Sequence, residues 1–178
     1  LSVLFFFFFY SKGAEKNSQD TRNSSITNSA EVAGSTFDNI NLVGKGIFVF
    51  DLNNDSVIYE KNGELQLPIA SITKIMTAII AKDYINNDNS AISIVPESSR
   101  PGDGEALSMG ATFKLKRLID YMLVSSSNDS AAAIALATQR ISPQSAFIDK
   151  MNQKATEIGM KQTYFLNETG LDEDKQIA

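Results

Sequence analysis

The sequence predicts a mixed α/β protein of the α+β type, with a β-hairpin first and helices after it. Residues 46–52 and 56–60 are rich in β-branched and aromatic side chains and flank the turn cluster 53–55, a pattern typical of two antiparallel strands. Further along, apolar residues recur at helical spacing in several segments, which indicates helices that pack one face on a core. With 178 residues and 43% hydrophobic content, the chain can bury the core of one domain.

The first helix is predicted to begin near Ser71, after the loop around Pro68. Its apolar stripe consists of Ile72, Ile75, Met76, Ile79 and Ile80. The other face carries Ser71, Lys74 and Ala78, so two polar side chains project together. The small alanine leaves space beside them.

A strand, a turn and a second helix are expected next. The apolar run 91–95 predicts a short strand, and the Pro-Gly-Asp-Gly sequence at 101–104 marks a turn. The second helix is predicted from a stripe of Leu115, Leu118, Ile119, Met122 and Leu123. It is expected to end at the serine run 125–127.

Two more helices complete the predicted order. The alanine-rich segment 128–138 suits a close-packed, buried helix. The final helix is expected to begin at Ser142 and Pro143, because serine is a favourable N-cap and proline suits the first helical position. It is expected to close near Gly159. Its predicted core face consists of Ile148, Met151, Ala155 and Ile158.

Composition and charge exclude several classes of function. The formal net charge is -5 and the pI is about 4.8, and Lys and Arg are scattered, so a nucleic-acid partner is not expected. The chain contains no cysteine and no histidine, so neither a Ser-His-Asp triad nor a Cys-His dyad can be built. No metal or other cofactor is expected. Covalent catalysis would have to activate a hydroxyl in another way, for which a serine activated by lysine is the candidate.

Three regions are predicted along the chain. Residues 1–10 contain a run of phenylalanines that fits the end of a signal peptide or membrane anchor whose beginning is missing. Residues 11–41 are rich in Ser, Asn, Thr and charge and are expected to form a polar flexible linker. Residues 42–178 would be the folded domain. This order suggests export, so we expect an extracytoplasmic location.

Ser71 and Lys74 form the first candidate catalytic pair. They stand one helical turn apart at the start of an amphipathic helix, where backbone N–H groups and the helix dipole favour a developing negative charge. A lysine amine that faces the domain interior favours its neutral form, which could take the serine proton. The alternative is a serine N-cap followed by a solvated lysine.

A second polar cluster lies at Ser126, Ser127 and Asn128, between two apolar helices. Loops at such positions can present polar groups to a cleft. A hydroxyl such as that of Ser126 could relay a proton between the lysine and a leaving amine, while the Asn128 amide could bind a substrate peptide group. The alternative is that these residues cap the alanine-rich helix, and the two roles are compatible.

These segments resemble one known family. Residues 68–78, PIASITKIMTA, resemble the first active-site motif of the serine-type D-alanyl-D-alanine carboxypeptidases, the low-molecular-mass penicillin-binding proteins, which have a β-lactamase/transpeptidase-like fold. Residues 124–131, VSSSNDSA, resemble the S-x-N motif of that family, and residues 167–172, NETGLD, are similar to its segment ending in Gly-Leu-Asp. Three ordered motifs are far more specific than any one of them.

The resemblance implies a reaction, its partners and the roles of four residues. Ser71 would attack the carbonyl between two D-alanines of a peptidoglycan stem peptide, which gives an acyl-enzyme and releases the terminal D-alanine. Lys74 would be the general base. Ser126 would pass a proton to the leaving amine, and Asn128 would hold the substrate backbone. β-Lactam antibiotics would acylate the same serine.

The third motif of the family, K-T-G or K-S-G on a strand, is absent. Residues 168–170 read Glu-Thr-Gly, which has the wrong charge and belongs to the Gly-Leu-Asp segment. We therefore expect the chain to be a fragment at both ends, whose catalytic domain, residues 42–178, lacks the C-terminal strands of its sheet. Because the family takes one oxyanion donor from that strand, the isolated chain is expected to be poorly active.

Three alternatives remain open. A class A β-lactamase shares the first motif, although no convincing E-x-x-L-N segment follows Asn128. A non-catalytic member would act as a cell-wall-binding or β-lactam-sensing domain. Lastly, the chain could be an α/β domain in which Ser71 and Lys74 are only capping and surface residues.

Overall fold

The computed structural model describes residues 43–99 and 107–171. They fall into two compact units, one ending at Leu67 and one beginning at Pro68. The predicted leader at 1–10, the linker at 11–41 and the turn at 101–104 lie outside the described residues. Within the described part, none of the helices has the length and apolar character needed to cross a bilayer.

The first unit contains the predicted β-hairpin. Strands β1 (Ile47–Asp51) and β2 (Ser56–Lys61) pair antiparallel, with a register shift between Val49 and Phe50. The Asp51 carboxylate accepts hydrogen bonds from the Asn53 and Asn54 backbone N–H groups at 2.8 and 3.2 Å. The pKa of Asp51 is lowered because hydrogen bonds stabilise its carboxylate. The bond from the Asn54 side chain has the largest effect, and the two backbone bonds add to it.

The second unit contains four helices and a small sheet among its described residues. The helices are α1 (Thr73–Tyr84), α2 (Leu115–Ser125), α3 (Asn128–Ile141) and α4 (Phe147–Glu157). The expected strand at 91–95 is present as β3 (Ala91–Ser93), which pairs antiparallel with β4 (Thr112–Lys114). Helix α3 contacts the other three helices, so it forms the centre of this unit.

Alanine explains the central position of α3. Ala131, Ala132 and Ala133 are almost fully buried, and their short side chains let neighbouring helices approach closely. One buried cluster joins the end of α1 to β3, α2 and α3. Another joins α1, α3, α4 and Phe165. The prediction of a close-packed buried helix at 128–138 is confirmed.

The predicted start of the last helix was wrong. Ser142 is the C-cap of α3, and its N–H donates the last bond of that helix to the Thr138 carbonyl at 2.9 Å. The buried Lys150 amine donates to the carbonyl of Ser142 at 2.9 Å and also to that of Ser145. These bonds hold the segment between α3 and α4 as a turn, so α4 begins only at Phe147. Ile158, expected in the core, is 55% exposed.

The buried face of α1 also differs from the predicted one. Ile75 and Ile79 are 47% and 37% exposed, whereas Lys74 and Thr77 are 1% and 0% exposed. Burying polar side chains is costly unless they find hydrogen-bond partners. The partners that permit it lie in the candidate site.

Candidate active site

Ser71 lies at the entry to α1. It occupies a short 3₁₀ turn, Ala70–Ile72, directly before the helix, and its side chain is exposed. The preceding residue, Ala70, has φ of 46°, in the left-handed region that non-glycine residues seldom adopt. Such strain is typical of functional sites, where the surrounding structure holds the backbone in place.

Lys74 is oriented by two hydrogen bonds. Its amine donates to the Ser71 hydroxyl oxygen at 3.0 Å and to the Thr169 carbonyl at 3.1 Å. The side chain is buried, so the interpretation of Lys74 as a solvated surface residue does not fit the structure. A neutral amine in this position would lie within reach of the serine proton.

Ser126 completes a continuous chain of polar groups. Its hydroxyl donates to the Ser71 hydroxyl oxygen at 2.8 Å. Ser126 ends α2 in the left-handed conformation, with φ of 60° and ψ of 30°. The structure therefore brings together Ser71, Lys74 and Ser126, three of the four predicted site residues.

Asn128, the fourth predicted residue, begins α3 and is buried. It lies two residues beyond Ser126 in the chain. The capping role weighed for this cluster belongs to Ser127, whose side chain accepts a hydrogen bond from the Ser130 N–H at 3.2 Å. Capping and a polar site thus coexist in adjacent residues.

The turn at residues 167–171 contributes contacts that the motifs did not assign. The Glu168 carbonyl accepts a hydrogen bond from the Thr77 hydroxyl at 2.7 Å, and the Thr169 carbonyl accepts the one from Lys74. These two carbonyls explain why α1 buries Thr77 and Lys74. The available signal was the NETGLD sequence, which resembled a family segment but carried no assigned role.

Gly170 allows this turn to lie against the segment that contains Ala70 and Ser71. Its φ is 76°, and a Cβ added there would overlap the backbone carbonyl of Ala70. Only glycine meets both conditions without strain. Two segments that are remote in sequence, the turn at 167–171 and the residues before α1, therefore contact each other at Gly170 and Ala70.

The arrangement favours acyl transfer by a serine hydroxyl. One oxygen, Ser71 Oγ, accepts hydrogen bonds from an amine and from a second hydroxyl, so two groups that can exchange protons lie within hydrogen-bond distance of it. Among residues 43–99 and 107–171, no cluster of three or more acidic side chains is placed to hold a metal ion.

Comparison with known proteins identifies the family. The family model described as D-alanyl-D-alanine carboxypeptidase matches residues 33–178. The chain belongs to this family. The resemblance seen in the three motifs is thereby confirmed.

Curated relatives cover both carboxypeptidases and endopeptidases. The chain is 34% identical to the D-alanyl-D-alanine endopeptidase of Pseudomonas aeruginosa over 132 residues, which are 73% of this chain and 42% of that protein. It is 30% identical to the D-alanyl-D-alanine carboxypeptidase DacF of Bacillus subtilis over 135 residues, 73% of this chain and 34% of that protein. The chain therefore spans less than half the length of these D-alanyl-D-alanine peptidases.

Solved structures of the family share the fold. The D-alanyl-D-alanine carboxypeptidase DacD of Francisella tularensis matches with a TM-score of 0.67 and 33% identity, over 78% of this chain and 34% of that one. Penicillin-binding protein D2 of Listeria monocytogenes, solved in an ampicillin-bound form, matches with a TM-score of 0.64 and 27% identity, over 76% of this chain and 56% of that one. The predicted β-lactamase/transpeptidase-like fold class is confirmed.

Proposed function

We propose that the protein is a serine-type D-Ala-D-Ala carboxypeptidase that removes the terminal D-alanine from peptidoglycan stem peptides through an acyl-enzyme on Ser71. One observation carries the proposal: the Ser71 oxygen accepts hydrogen bonds from both the Lys74 amine at 3.0 Å and the Ser126 hydroxyl at 2.8 Å. A serine held between two proton-exchanging groups is suited to nucleophilic catalysis without histidine.

The reaction has two stages. In acylation, Ser71 Oγ attacks the carbonyl carbon between the two D-alanines while its proton passes to the neutral Lys74 amine. Ser126 gives its proton to the leaving nitrogen as the C–N bond breaks and takes in its place the proton that Lys74 received from Ser71, so D-alanine departs, the Lys74 amine is neutral again and an ester remains on Ser71. Asn128 holds the substrate backbone through its amide. In the second stage, water hydrolyses the ester and Ser71 regains a proton.

The proposal extends to inhibitors and to location. A β-lactam presents a strained amide carbonyl to the same nucleophile, so it would acylate Ser71. Because stem peptides lie outside the cytoplasmic membrane, we place the protein in the extracytoplasmic space. The apolar residues 1–10 would belong to an export signal or a membrane anchor.

The test uses the complete product of the gene. A fluorescent penicillin and a peptide ending in D-Ala-D-Ala are each incubated with the parent protein and with Ser71→Ala. We expect the parent to become labelled and to release D-alanine, and the variant to do neither. Mass spectrometry of the labelled peptide should place the adduct on Ser71.

Ser125→Ala is the matched control. Ser125 belongs to the same serine run, but its hydroxyl donates to the Tyr121 carbonyl of its own helix at 2.7 Å. It should keep labelling and D-alanine release near the parent level. Labelling retained by Ser71→Ala would exclude the proposal. Rapid repeated turnover of the penicillin would favour a β-lactamase, and peptide binding without D-alanine release a non-catalytic domain.

An endopeptidase is the second candidate. The relatives that share 34% identity, from Pseudomonas aeruginosa, Haemophilus influenzae and Escherichia coli, are D-alanyl-D-alanine endopeptidases. Both reactions use the same acyl-enzyme and differ in the amine that leaves. A cross-linked stem-peptide dimer, compared with a linear pentapeptide, separates them by which substrate has the larger kcat/KM.

A further inference from the structure

We propose that Asn167 is a positioning residue for Lys74, because its side chain aims the Thr169 carbonyl at the lysine amine. The kinetic part of this inference rests on the proposed function, whereas the structural part does not. The residue lies outside the chain of hydroxyls and amine that would carry out the reaction.

The Asn167 side chain fixes the turn at 167–171 through all of its polar atoms. Its Oδ1 accepts hydrogen bonds from the Thr169 N–H at 3.1 Å, the Thr169 hydroxyl at 3.1 Å and the Gly170 N–H at 2.6 Å. Its Nδ2 donates to the Leu171 carbonyl at 2.8 Å. The Leu171 N–H donates in turn to the Thr169 hydroxyl at 3.1 Å. One side chain therefore determines the local backbone.

Because peptide units are planar, the hydrogen bonds to Asn167 Oδ1 also determine where the Glu168 and Thr169 carbonyls point. In a trans peptide unit, the C=O of one residue and the N–H of the next point to opposite sides. Holding the Gly170 N–H on Asn167 therefore turns the Thr169 carbonyl away from Asn167, where it meets the Lys74 amine at 3.1 Å.

The same reasoning applies to the preceding peptide. The Thr169 N–H is held on Asn167, so the Glu168 carbonyl points away from it and accepts from the Thr77 hydroxyl at 2.7 Å. Two consecutive carbonyls thus meet two residues that lie one turn apart on the buried face of α1.

The Thr169 carbonyl matters because lysine is long and flexible. Its four-carbon side chain can place the amine in many positions. One N–H of the Lys74 amine donates to the Thr169 carbonyl, and another N–H donates to the Ser71 oxygen at 3.0 Å. A misplacement of about 1 Å in a reacting group can cost about 100-fold in rate.

Asn152 offers a matched control. Its Oδ1 accepts from the Phe165 N–H at 2.7 Å and its Nδ2 donates to the Phe165 carbonyl at 2.9 Å. It is therefore also an asparagine that holds backbone near the C-terminal end of the described residues, but it holds a residue that does not bind Lys74. Loss of either asparagine should destabilise the chain, and only Asn167 should affect the amine.

The kinetic test separates penicillin binding from the acylation step in the complete gene product. We expect Asn167→Ala to lower the first-order acylation rate constant by about 10- to 100-fold and to leave the dissociation constant of the initial complex within about threefold. Asn152→Ala should leave both constants within about twofold. Asn167→Asp keeps the accepting oxygen but loses the Nδ2 donor to the Leu171 carbonyl, so its acylation rate constant should lie between those of the parent and Asn167→Ala.

The structural test needs no enzymatic activity. Urea unfolding of Asn167→Ala, Lys74→Met and the double variant forms a double-mutant cycle. We expect the combined effect on the unfolding equilibrium constant to depart from the product of the single effects by about fivefold or more. The corresponding cycle with Asn152→Ala should be multiplicative within about twofold.

The outcomes distinguish this inference from the proposed function. If the parent protein is not acylated, the proposed function fails, and the unfolding cycle still decides the role of Asn167. If Asn167→Ala matches Asn152→Ala in the acylation step or in its coupling to Lys74, the inference is overturned. If Asn167→Ala does not fold, Asn167→Asp serves in its place with Asn152→Asp as its control, since each change removes one Nδ2 donor to a backbone carbonyl. Equal acylation rate constants of these two variants would then overturn the inference.

Discussion

The hydroxyl of Ser126 donates to the hydroxyl of Ser71 over 2.8 Å, although 55 positions separate the two residues in the chain. Ser126 reaches this point because it ends α2 in the left-handed conformation, with φ of 60°. A serine at such a φ is strained, and the strain accompanies the placement of its hydroxyl.

Replacing Ser126 should separate strain from chemistry. Ser126→Gly relieves the left-handed backbone and should be more stable than Ser126→Ala by about 1 kcal/mol. Both variants lose the hydroxyl, so both should lose about 100-fold or more in acylation by penicillin. Urea unfolding and labelling rates measure the two effects. Equal stability of the two variants would contradict the strain, and normal labelling of either would contradict the proton relay.

Gly170→Ala should destabilise the protein more than the same change at Gly159. The two glycines have φ of 76° and 85°, so both variants bear a left-handed alanine, at about 1–2 kcal/mol. Only at position 170 does a Cβ meet other atoms, the Ala70 carbonyl group among them. The overlap should add about 1–3 kcal/mol, measured by chemical unfolding. Equal losses of stability in Gly170→Ala and Gly159→Ala would contradict the prediction, because they would mean that the backbone near Ala70 moves away from the added Cβ at no cost.

Thr77→Val should cost about 1–3 kcal/mol, because it removes a buried hydroxyl that donates to the Glu168 carbonyl at 2.7 Å. Thr138→Val is the control. The hydroxyl of Thr138 is also buried, but it donates at 2.8 Å to the Ile134 carbonyl within its own helix. In Thr138→Val that carbonyl still accepts the helical hydrogen bond from the backbone N–H of residue 138, so it keeps a partner. Thermal or urea unfolding should give the larger loss for Thr77→Val, and the reverse order would refute this explanation.

The ion pair between Lys154 on α4 and Asp83 on α1, 2.6 Å apart, should give a pH-dependent contribution to stability. The hydrogen bond with Asp83 is the largest cause that raises the pKa of Lys154 above its ordinary 10.5. Because the folded pKa is the higher one, the contribution is fully present below pH 10.5 and is lost as the pH rises through the raised value.

Asp83→Asn tests this pH dependence. The difference in free energy of unfolding between parent and variant should be constant from neutral pH to about pH 10 and shrink above it. Asp120→Asn is the control, since its partner Lys116 lies on the same helix at 3.0 Å and such exposed pairs contribute little. A parent-to-variant difference that grows above pH 10.5 would have the wrong sign.

Local patterns predicted most of the fold. The hairpin, α2 and α3 follow from alternation, helical spacing and alanine content, which are properties of neighbouring residues. Strand β4 was missed because its sequence, Thr-Phe-Lys, contains one apolar residue, whereas β3 lies in the apolar run 91–95. The start of α4 was wrong because the buried amine of Lys150, itself inside that helix, ties Ser142 and Ser145 into a turn.

The sequence predicted that Ser71, Lys74 and Ser126 belong together, and the structure places them within hydrogen-bond distance, but the contacts that support them were not predicted. Lys74 and Thr77 are buried because carbonyls 95 and 91 positions away accept their hydrogen bonds. No spacing within a helix carries that information, so the apolar stripe of α1 misplaced Ile75 and Ile79. The catalytic roles of Ser71, Lys74, Ser126 and Asn128 stay predictions until variants are measured.

The buried alanines of α3 have a consequence for how firmly the two serines are held. Helix α3 contacts both α1, which follows Ser71, and α2, which ends before Ser126. Alanine has no side-chain torsion to change, so its packing surface offers no alternative rotamers and loses no side-chain entropy on folding. These alanines therefore add no rotamer freedom of their own to the spacing between the helices beside the two serines, and they fix that spacing at no cost in side-chain entropy.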